Sequence, residues 1–405
     1  MQYKKNISCK IYKSETSGFG NKKKKILLLL PTLEWGGAEK QALLLGQYLK
    51  KKEIEIIIGA FAERGIVEKK CNENSIKCFC LPGNKNFFYY CIWVYAKIYD
   101  CILRKKKYIL KDTYSLYRLV KKEKVTHIIS YCAVPGTIAG TLKRFMPKVH
   151  VIWFQRDAGI YNAIEEYQEQ AIKAVDLVLA NSSSGRKWVW ERYKREAKII
   201  YNGIEMPEAR MNKGEWLEKL GKNKETLIVT MVANLSSAKD HMTLLKAWEK
   251  VVEREENIDM VLALAGRYDD KYEELHEYVK KSNMKEKVVF LGLEDDIVGL
   301  LKASVLFVFS AISEGTSNAI AEACMSELCV VATNLQEIKN ILSEENQEML
   351  FAKGDYEECA KKIIYAIEEE EKRKKIGECN RRKAEELFDK EKNFNKVFMI
   401  LDEEI

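Results

Sequence analysis

Val305-Leu306-Phe307-Val308-Phe309 is an unbroken apolar run, and Ser313-Glu314-Gly315-Thr316-Ser317-Asn318-Ala319-Ile320-Ala321-Glu322 follows it after three residues. The run shows no polar alternation, which is how a strand buried on both faces of a parallel sheet reads. Gly315 then permits a turn, and residues 318–325 take on a helical pattern. The unit is strand, loop, helix. Downstream it leads into another strand at 329–332. Upstream it recurs in strands at 227–233, 260–265 and 288–291, with helices at 242–254, 271–282 and 297–302. The first half has the same rhythm: strands at 25–31, 53–61, 76–81, 126–131, 149–154, 176–180 and 198–201, with helices at 38–49, 87–104 and 112–122. Strands alternating with helices imply right-handed crossovers and doubly wound parallel sheets.

With 405 residues, two such domains are the simplest division. Residues 1–24 read as a flexible basic arm, 25–205 as the first domain and 206–224, polar and containing Pro207, as a linker. Residues 225–385 form the second domain. A C-terminal helix at 386–405 is placed to pack back on the first. The expected class is α/β, two doubly wound Rossmann-like domains facing a central cleft.

Hydrophobic residues make up 47% and charged residues 32%, enough apolar material for two cores, and only 5 prolines argue against a Pro-rich chain. A membrane span needs about 20 apolar residues. The best candidate, 87–103, is shorter and contains Lys97 and Asp100. Pro31 ends the run Ile26 to Leu30 too early for a signal peptide. A cytoplasmic location is therefore expected. The 11 cysteines form no C-x-x-C and read as reduced.

Charge is unevenly distributed. Residues 1–205 carry 38 Lys and Arg against 19 Asp and Glu, net +19; residues 206–405 carry 30 against 41, net −11. A basic half suits nucleic acid, an anionic membrane or an acidic substrate. No helix-turn-helix, RNP or zinc-finger pattern accompanies it, so nucleic acid is not expected. The stretch Phe87-Phe88-Tyr89-Tyr90-Cys91-Ile92-Trp93-Val94-Tyr95, with Arg104 to Lys107 after it, suits either an anionic headgroup layer or a core helix.

In open α/β sheets ligands bind beyond the carboxyl ends of the strands. Gly36 and Gly37 follow the first strand, where a backbone can approach an anion at a helix N-terminus. Lys239 follows the first strand of the second domain and could hold a phosphate as a point charge. Glu314 precedes the helix that begins near Asn318, and Glu322 lies on its second turn. Glu322 sits between Ala321 and Ala323, so if buried it needs a polar partner: a ribose diol, or a cation at the edge of the core. Asp269-Asp270 and Asp295-Asp296 read as turn residues, and no metal site is expected.

Taken together, these motifs resemble a retaining glycosyltransferase of family 4 with the GT-B fold. The resemblance spans about residues 25–390. It rests on Gly36-Gly37-Ala38-Glu39, 176–182, Tyr201-Asn202-Gly203-Ile204, 232–247, Leu264-Ala265-Gly266, Val288 to Gly292 and the pair Glu314/Glu322. It implies a nucleotide-diphosphate sugar as co-substrate, a UDP-sugar ahead of a GDP-sugar, and no metal. Gly36 and Gly37 would approach the diphosphate, with Lys239 holding it from the other side. Glu322 would accept the ribose hydroxyls, and Glu314 would contact the sugar beside the amides of Gly315, Thr316, Ser317 and Asn318. Gly266 and Gly292 would border the donor.

Two positions depart from the family pattern. Asn234 stands where an arginine is usual, with Arg267 nearby to make up the charge. Arg156, in Trp153-Phe154-Gln155-Arg156-Asp157, takes the place of a histidine as the substrate-contacting residue. The acceptor implied is a saccharide or lipid-linked sugar in surface polysaccharide or glycolipid synthesis, with the enzyme peripheral on the inner membrane face. The alternatives are a non-catalytic GT-B binding subunit and a nucleotide-sugar epimerase on the same fold.

Overall fold

The computed structural model describes residues 24–62, 65–81, 108–156, 165–237, 239–255 and 257–403. The basic arm up to residue 23 and the aromatic stretch 87–104 with its basic end lie outside them.

The first sheet contains β1 (Lys25–Thr32), β2 (Glu55–Ala62), β3 (Lys77–Cys80), β4 (His127–Tyr131), β5 (His150–Gln155), β6 (Leu177–Ala180) and β7 (Lys198–Ile199). Its order is β3-β2-β1-β4-β5-β6-β7, and the paired strands are parallel. Around it lie α1 (Gly37–Lys51), α2 (Ile66–Glu73), α3 (Tyr108–Glu123), α4 (Ala133–Lys143), α5 (Glu165–Ala174) and α6 (Ser183–Tyr193).

The second half runs α7 (Lys213–Lys219), β8 (Leu227–Val232), α8 (His241–Arg254), β9 (Met260–Ala265), α9 (Tyr272–Lys281), β10 (Val288–Gly292), α10 (Ile297–Ala303), β11 (Leu306–Phe309) and α11 (Asn318–Met325). It continues through β12 (Val330–Thr333), α12 (Gln336–Ile341), β13 (Leu350–Phe351), α13 (Tyr356–Glu368), α14 (Glu370–Phe388) and α15 (Lys390–Glu403). Its sheet order is β10-β9-β8-β11-β12-β13.

Burial explains the apolar runs. In β1, Ile26, Leu28 and Leu30 enter one core layer while Leu27 and Leu29 enter the layer on the opposite face. Alternate residues of a strand point to opposite faces, so a strand covered on both sides must be apolar throughout. Each such side chain contributes about 2 kcal/mol by leaving water. The run in β11 follows the same logic, with Leu306, Phe307, Val308 and Phe309 all buried.

Two features differ from the sequence expectation. The stretch 206–224 is more than a linker. Asn212 and Glu215 form a reciprocal capping box that starts α7, and Trp216, Leu217 and Leu220 are buried against Ile228, Val261 and Ala263 of the second sheet. The helix α4 carries Gly136 and Gly140, which lower helix propensity. Both are packing sites. A Cβ on Gly136 would lie 2.5 Å from the Trp153 ring, and one on Gly140 would lie 2.4 Å from the Ala171 carbonyl.

The last helix returns to the first half. Phe394, Val397 and Leu401 of α15 are buried with Leu28, Ile129 and Ile152. Ile204 N donates to Phe388 O at 3.0 Å where the outgoing and returning chains run side by side.

Each sheet has one point where the strand order reverses: between β1 and β4 in the first, and between β8 and β11 in the second. The crevices beyond the carboxyl ends of those strands are the ligand sites that this topology creates.

Candidate active site

The loops after β8 and β11 leave their sheet side by side. Asp240 N donates to Ser310 O at 3.2 Å, Ser310 Oγ donates to Asp240 O at 2.7 Å, and Lys239 bridges Ala311. This stitching brings two expected site residues together. The Lys239 ammonium forms an ion pair with the Glu314 carboxylate and lies 4.9 Å above the Phe309 ring centre. Beyond Glu314 the chain turns into α11. The Ser317 hydroxyl caps it by accepting from Ile320 N at 3.4 Å, so Gly315 to Asn318 form its N-terminal approach. The dipole and free amides of that end favour an anion.

The first half meets this site along α1. Gly36 is the extended N-cap of α1, and the Gly37 carbonyl accepts from Asn318 Nδ2 at 3.4 Å. The N-termini of α1 and α11 therefore converge across the cleft. Two buried carboxylates line it. Glu322, on the second turn of α11, is ion-paired with Lys40 of α1, so a cation is the partner that the structure supplies. Glu39 folds back over the start of α1: a Cβ on Gly36 would lie 2.6 Å from Glu39 Oε2. Burial pushes the Glu39 carboxyl pKa up. Its own amide, Arg156, the Thr32 hydroxyl and Arg267 pull the other way.

Arg156 follows β5. Its guanidinium stacks 4.8 Å from the Phe154 ring centre and 5.6 Å from that of Tyr131. Burial pushes its pKa down, opposed by Tyr131, Cys132 and Glu39. Nη2 donates to Asn202 Oδ1 at 2.7 Å, and Asn202 Nδ2 donates to Asn318 Oδ1 at 2.6 Å. Arg156 is thus connected to the first residue of α11 through one side chain.

The ends of β8, β9 and β10 touch backbone to backbone. Gly266 has φ +156, and a Cβ there would lie 2.0 Å from Ala233 O; its amide donates to Gly292 O at 2.8 Å. Gly292, at φ +67, lies beneath Tyr268, whose ring stacks on Tyr272 at 4.0 Å. Asn234 Oδ1 accepts from Arg267 N at 3.2 Å, so the two positions are adjacent. The Arg267 guanidinium is bidentate to Asp269 at 2.6 and 3.1 Å, and that bond holds its pKa up. Glu34 lies 4.0 Å away. Its charge is engaged by carboxylates, and a phosphate would have to compete for it.

His241 is buried beside Lys239. Burial, then the Lys239 charge, pushes its pKa down to about 4, so it is neutral near pH 7. Among the described residues no three His, Cys, Asp or Glu side chains gather as a metal site, and no helix is long and apolar enough to cross a membrane.

Sequence reasoning missed Lys40, and it quoted Glu39 and Asn202 without giving them roles. Lys40 lies one turn into the helix after Gly36-Gly37, the only local signal it offers. Asn202 belongs to Tyr201-Asn202-Gly203-Ile204, one of the stretches that carry the family resemblance, but nothing in that stretch shows its partners.

Residues 35–206 match the model of glycosyltransferase family 4, and residues 212–383 match that of the glycosyl transferases group 1. The chain belongs to these glycosyltransferases, and its two facing sheets are their GT-B fold. An uncharacterized glycosyltransferase of Methanocaldococcus jannaschii is 24% identical over 249 residues, 56% of this chain and 60% of that protein. The UDP-Gal:alpha-D-GlcNAc-diphosphoundecaprenol alpha-1,3-galactosyltransferase of Escherichia coli is 25% identical over 276 residues, 63% of this chain and 70% of the relative. The chain thus spans 60% to 70% of the length of these two relatives. Among solved structures, Anabaena HepE in complex with UDP and glucose superposes with a TM-score of 0.75 at 18% identity, covering 94% of this chain and 99% of HepE. At that identity the likeness is one of fold.

Proposed function

We propose that the chain is a retaining glycosyltransferase that moves a sugar from a nucleotide-diphosphate sugar, UDP-linked ahead of GDP-linked, to a saccharide or lipid-linked acceptor in surface polysaccharide or glycolipid synthesis. The observation that carries this reading is the Lys239–Glu314 pair beside the N-terminus of α11 at the switch point of the second sheet. In the transfer, the bond from the sugar anomeric carbon to the diphosphate oxygen breaks with its electron pair staying on the diphosphate, an acceptor hydroxyl oxygen bonds to that carbon on the same face, and the hydroxyl proton passes to the departing diphosphate oxygen. The charge that grows there meets the Lys239 ammonium and the amides from Gly315 to Asn318, which are already oriented. Released from Lys239, the Glu314 carboxylate is free to accept from sugar hydroxyls. Glu322 takes the ribose hydroxyls. Gly36 and Gly37 close the donor from the first half, and Arg156 stands on the acceptor side.

The E. coli relative is named for a UDP-sugar donor and a diphosphoundecaprenol acceptor, and HepE was solved with UDP; both support the UDP preference. Nothing favours the non-catalytic subunit or the epimerase. Thermal shift with UDP, GDP and ADP tests the donor: UDP should raise the melting temperature most, and no shift with any of them contradicts the reading. The reading also includes peripheral binding to an anionic inner membrane face, on the strength of the +19 net charge of residues 1–205 and the sequence at 87–107. Sedimentation with anionic liposomes at low salt tests it, and failure to co-sediment removes the membrane from the account.

A further inference from the structure

The contact between Lys40 and Glu322 joins the two halves at the point where the proposed donor must enter. Glu322 is nearly buried on α11, with its side chain 8% exposed, and Lys40 reaches it from the first turn of α1, 30% exposed. The Lys40 amide donates to Gly36 O at 2.9 Å, so the lysine is anchored on the turn that carries Gly36 and Gly37. The neighbouring contact of Asn318 Nδ2 with Gly37 O places the pair at the convergence of the two helix N-termini.

An ionised carboxylate offers two oxygens with about four lone-pair sites, which suits a pair of vicinal hydroxyls. Here Oε1 of Glu322 is taken by the ammonium. The ammonium occupies space and a lone-pair position on the side of the carboxylate that the ribose hydroxyls would need, so the two compete for Glu322. We propose that Lys40 is a positioning residue of the donor site, a latch on Glu322 that the ribose hydroxyls displace. This rests on the reading of Glu322 as the ribose carboxylate. While latched, the pair holds α1 against α11. Donor binding releases the lysine and removes one of the contacts between the halves. Because the ion pair is lost on binding, it subtracts from nucleotide affinity; for a partly exposed pair this is about fivefold.

The test is calorimetric titration of UDP and of 2′,3′-dideoxy-UDP into the wild type, Lys40→Met, Lys40→Arg, Glu322→Gln and the Lys40→Met/Glu322→Gln double variant. Lys40→Met should bind UDP about fivefold more tightly and the dideoxy analogue with unchanged affinity. Lys40→Arg should behave as the wild type, and Lys40→Met should have no effect in the Glu322→Gln background. Weaker UDP binding by Lys40→Met, no change, or an equal change for both ligands overturns the latch. If Glu322→Gln loses UDP affinity while Lys40→Met is neutral, the latch alone fails. If Glu322→Gln binds UDP as the wild type does, the ribose role of Glu322 fails and the latch with it.

Discussion

Asn202 donates to Asn318 at 2.6 Å while its own carboxamide oxygen accepts from Arg156 at 2.7 Å. One buried side chain at the exit from the first sheet thus links an arginine of the first half to the first residue of α11 in the second. Asn393 of the returning helix fixes the Asn202 carbonyl at 3.1 Å. The Asn202 link is one of several ties between the halves, beside Lys40–Glu322 and Ser184–Glu337, and a buried partner left unsatisfied costs about 1–3 kcal/mol. Asn202→Ala should lower the melting temperature by several degrees and reduce kcat more than it raises donor KM. Thermal denaturation and steady-state kinetics check this.

Lys239 and Glu314 should be separable from stability. Both lie in loops beyond the carboxyl ends of the central strands β8 and β11 and are partly exposed. Lys239→Met and Glu314→Gln should each reduce transfer on the order of a hundredfold or more, with melting temperatures close to the wild type. Circular dichroism melts beside product quantification measure both.

Gly266 gives a stability contrast. Its φ is +156 and the space for a Cβ is filled by the Ala233 carbonyl, so Gly266→Ala should cost about 3 kcal/mol. Gly221 also has positive φ, at +65, but nothing lies within 4 Å of a Cβ there. Gly221→Ala should cost only about 1 kcal/mol. Urea midpoints of the two variants should differ accordingly.

Two buried histidines set an acid limit. Burial pushes both His127 and His241 from 6.5 down to about 4, helped by His150 at the first and Lys239 at the second. Between those values the unfolded chain binds more protons than the folded one, so stability rises with pH. Their contribution is complete above about pH 6.5 and is lost as pH falls toward 4, on the order of 3 kcal/mol for each group. The melting temperature should fall steeply from pH 7 to 5, and His241→Gln should flatten that slope.

The architecture was legible where a physical requirement spanned consecutive residues. A strand covered on both faces must be apolar throughout, which is why β1 and β11 stood out. The loops after such strands then pointed to Gly36, Lys239 and Glu314 without any structure. Short or locally ambiguous elements were lost. The two-residue strand β13 has too little sequence to show a period, and α7 was taken for linker because its polar start hides Trp216 and Leu217. The helix α4 was hidden by Gly136 and Gly140, whose reason is the Trp153 ring and the Ala171 backbone. Partners across the cleft were illegible for a different reason. Lys40 and Glu322 are 282 residues apart, and no local pattern encodes their meeting.

The most direct test of the central claim is UDP release from a panel of UDP-sugars, measured for the wild type and for Glu314→Ala. The expected result is slow release from one donor by the wild type, stimulated by an acceptor, with the anomeric configuration kept in the product, and none of this in Glu314→Ala. Equal release by both proteins, or a product of inverted configuration, would contradict the account.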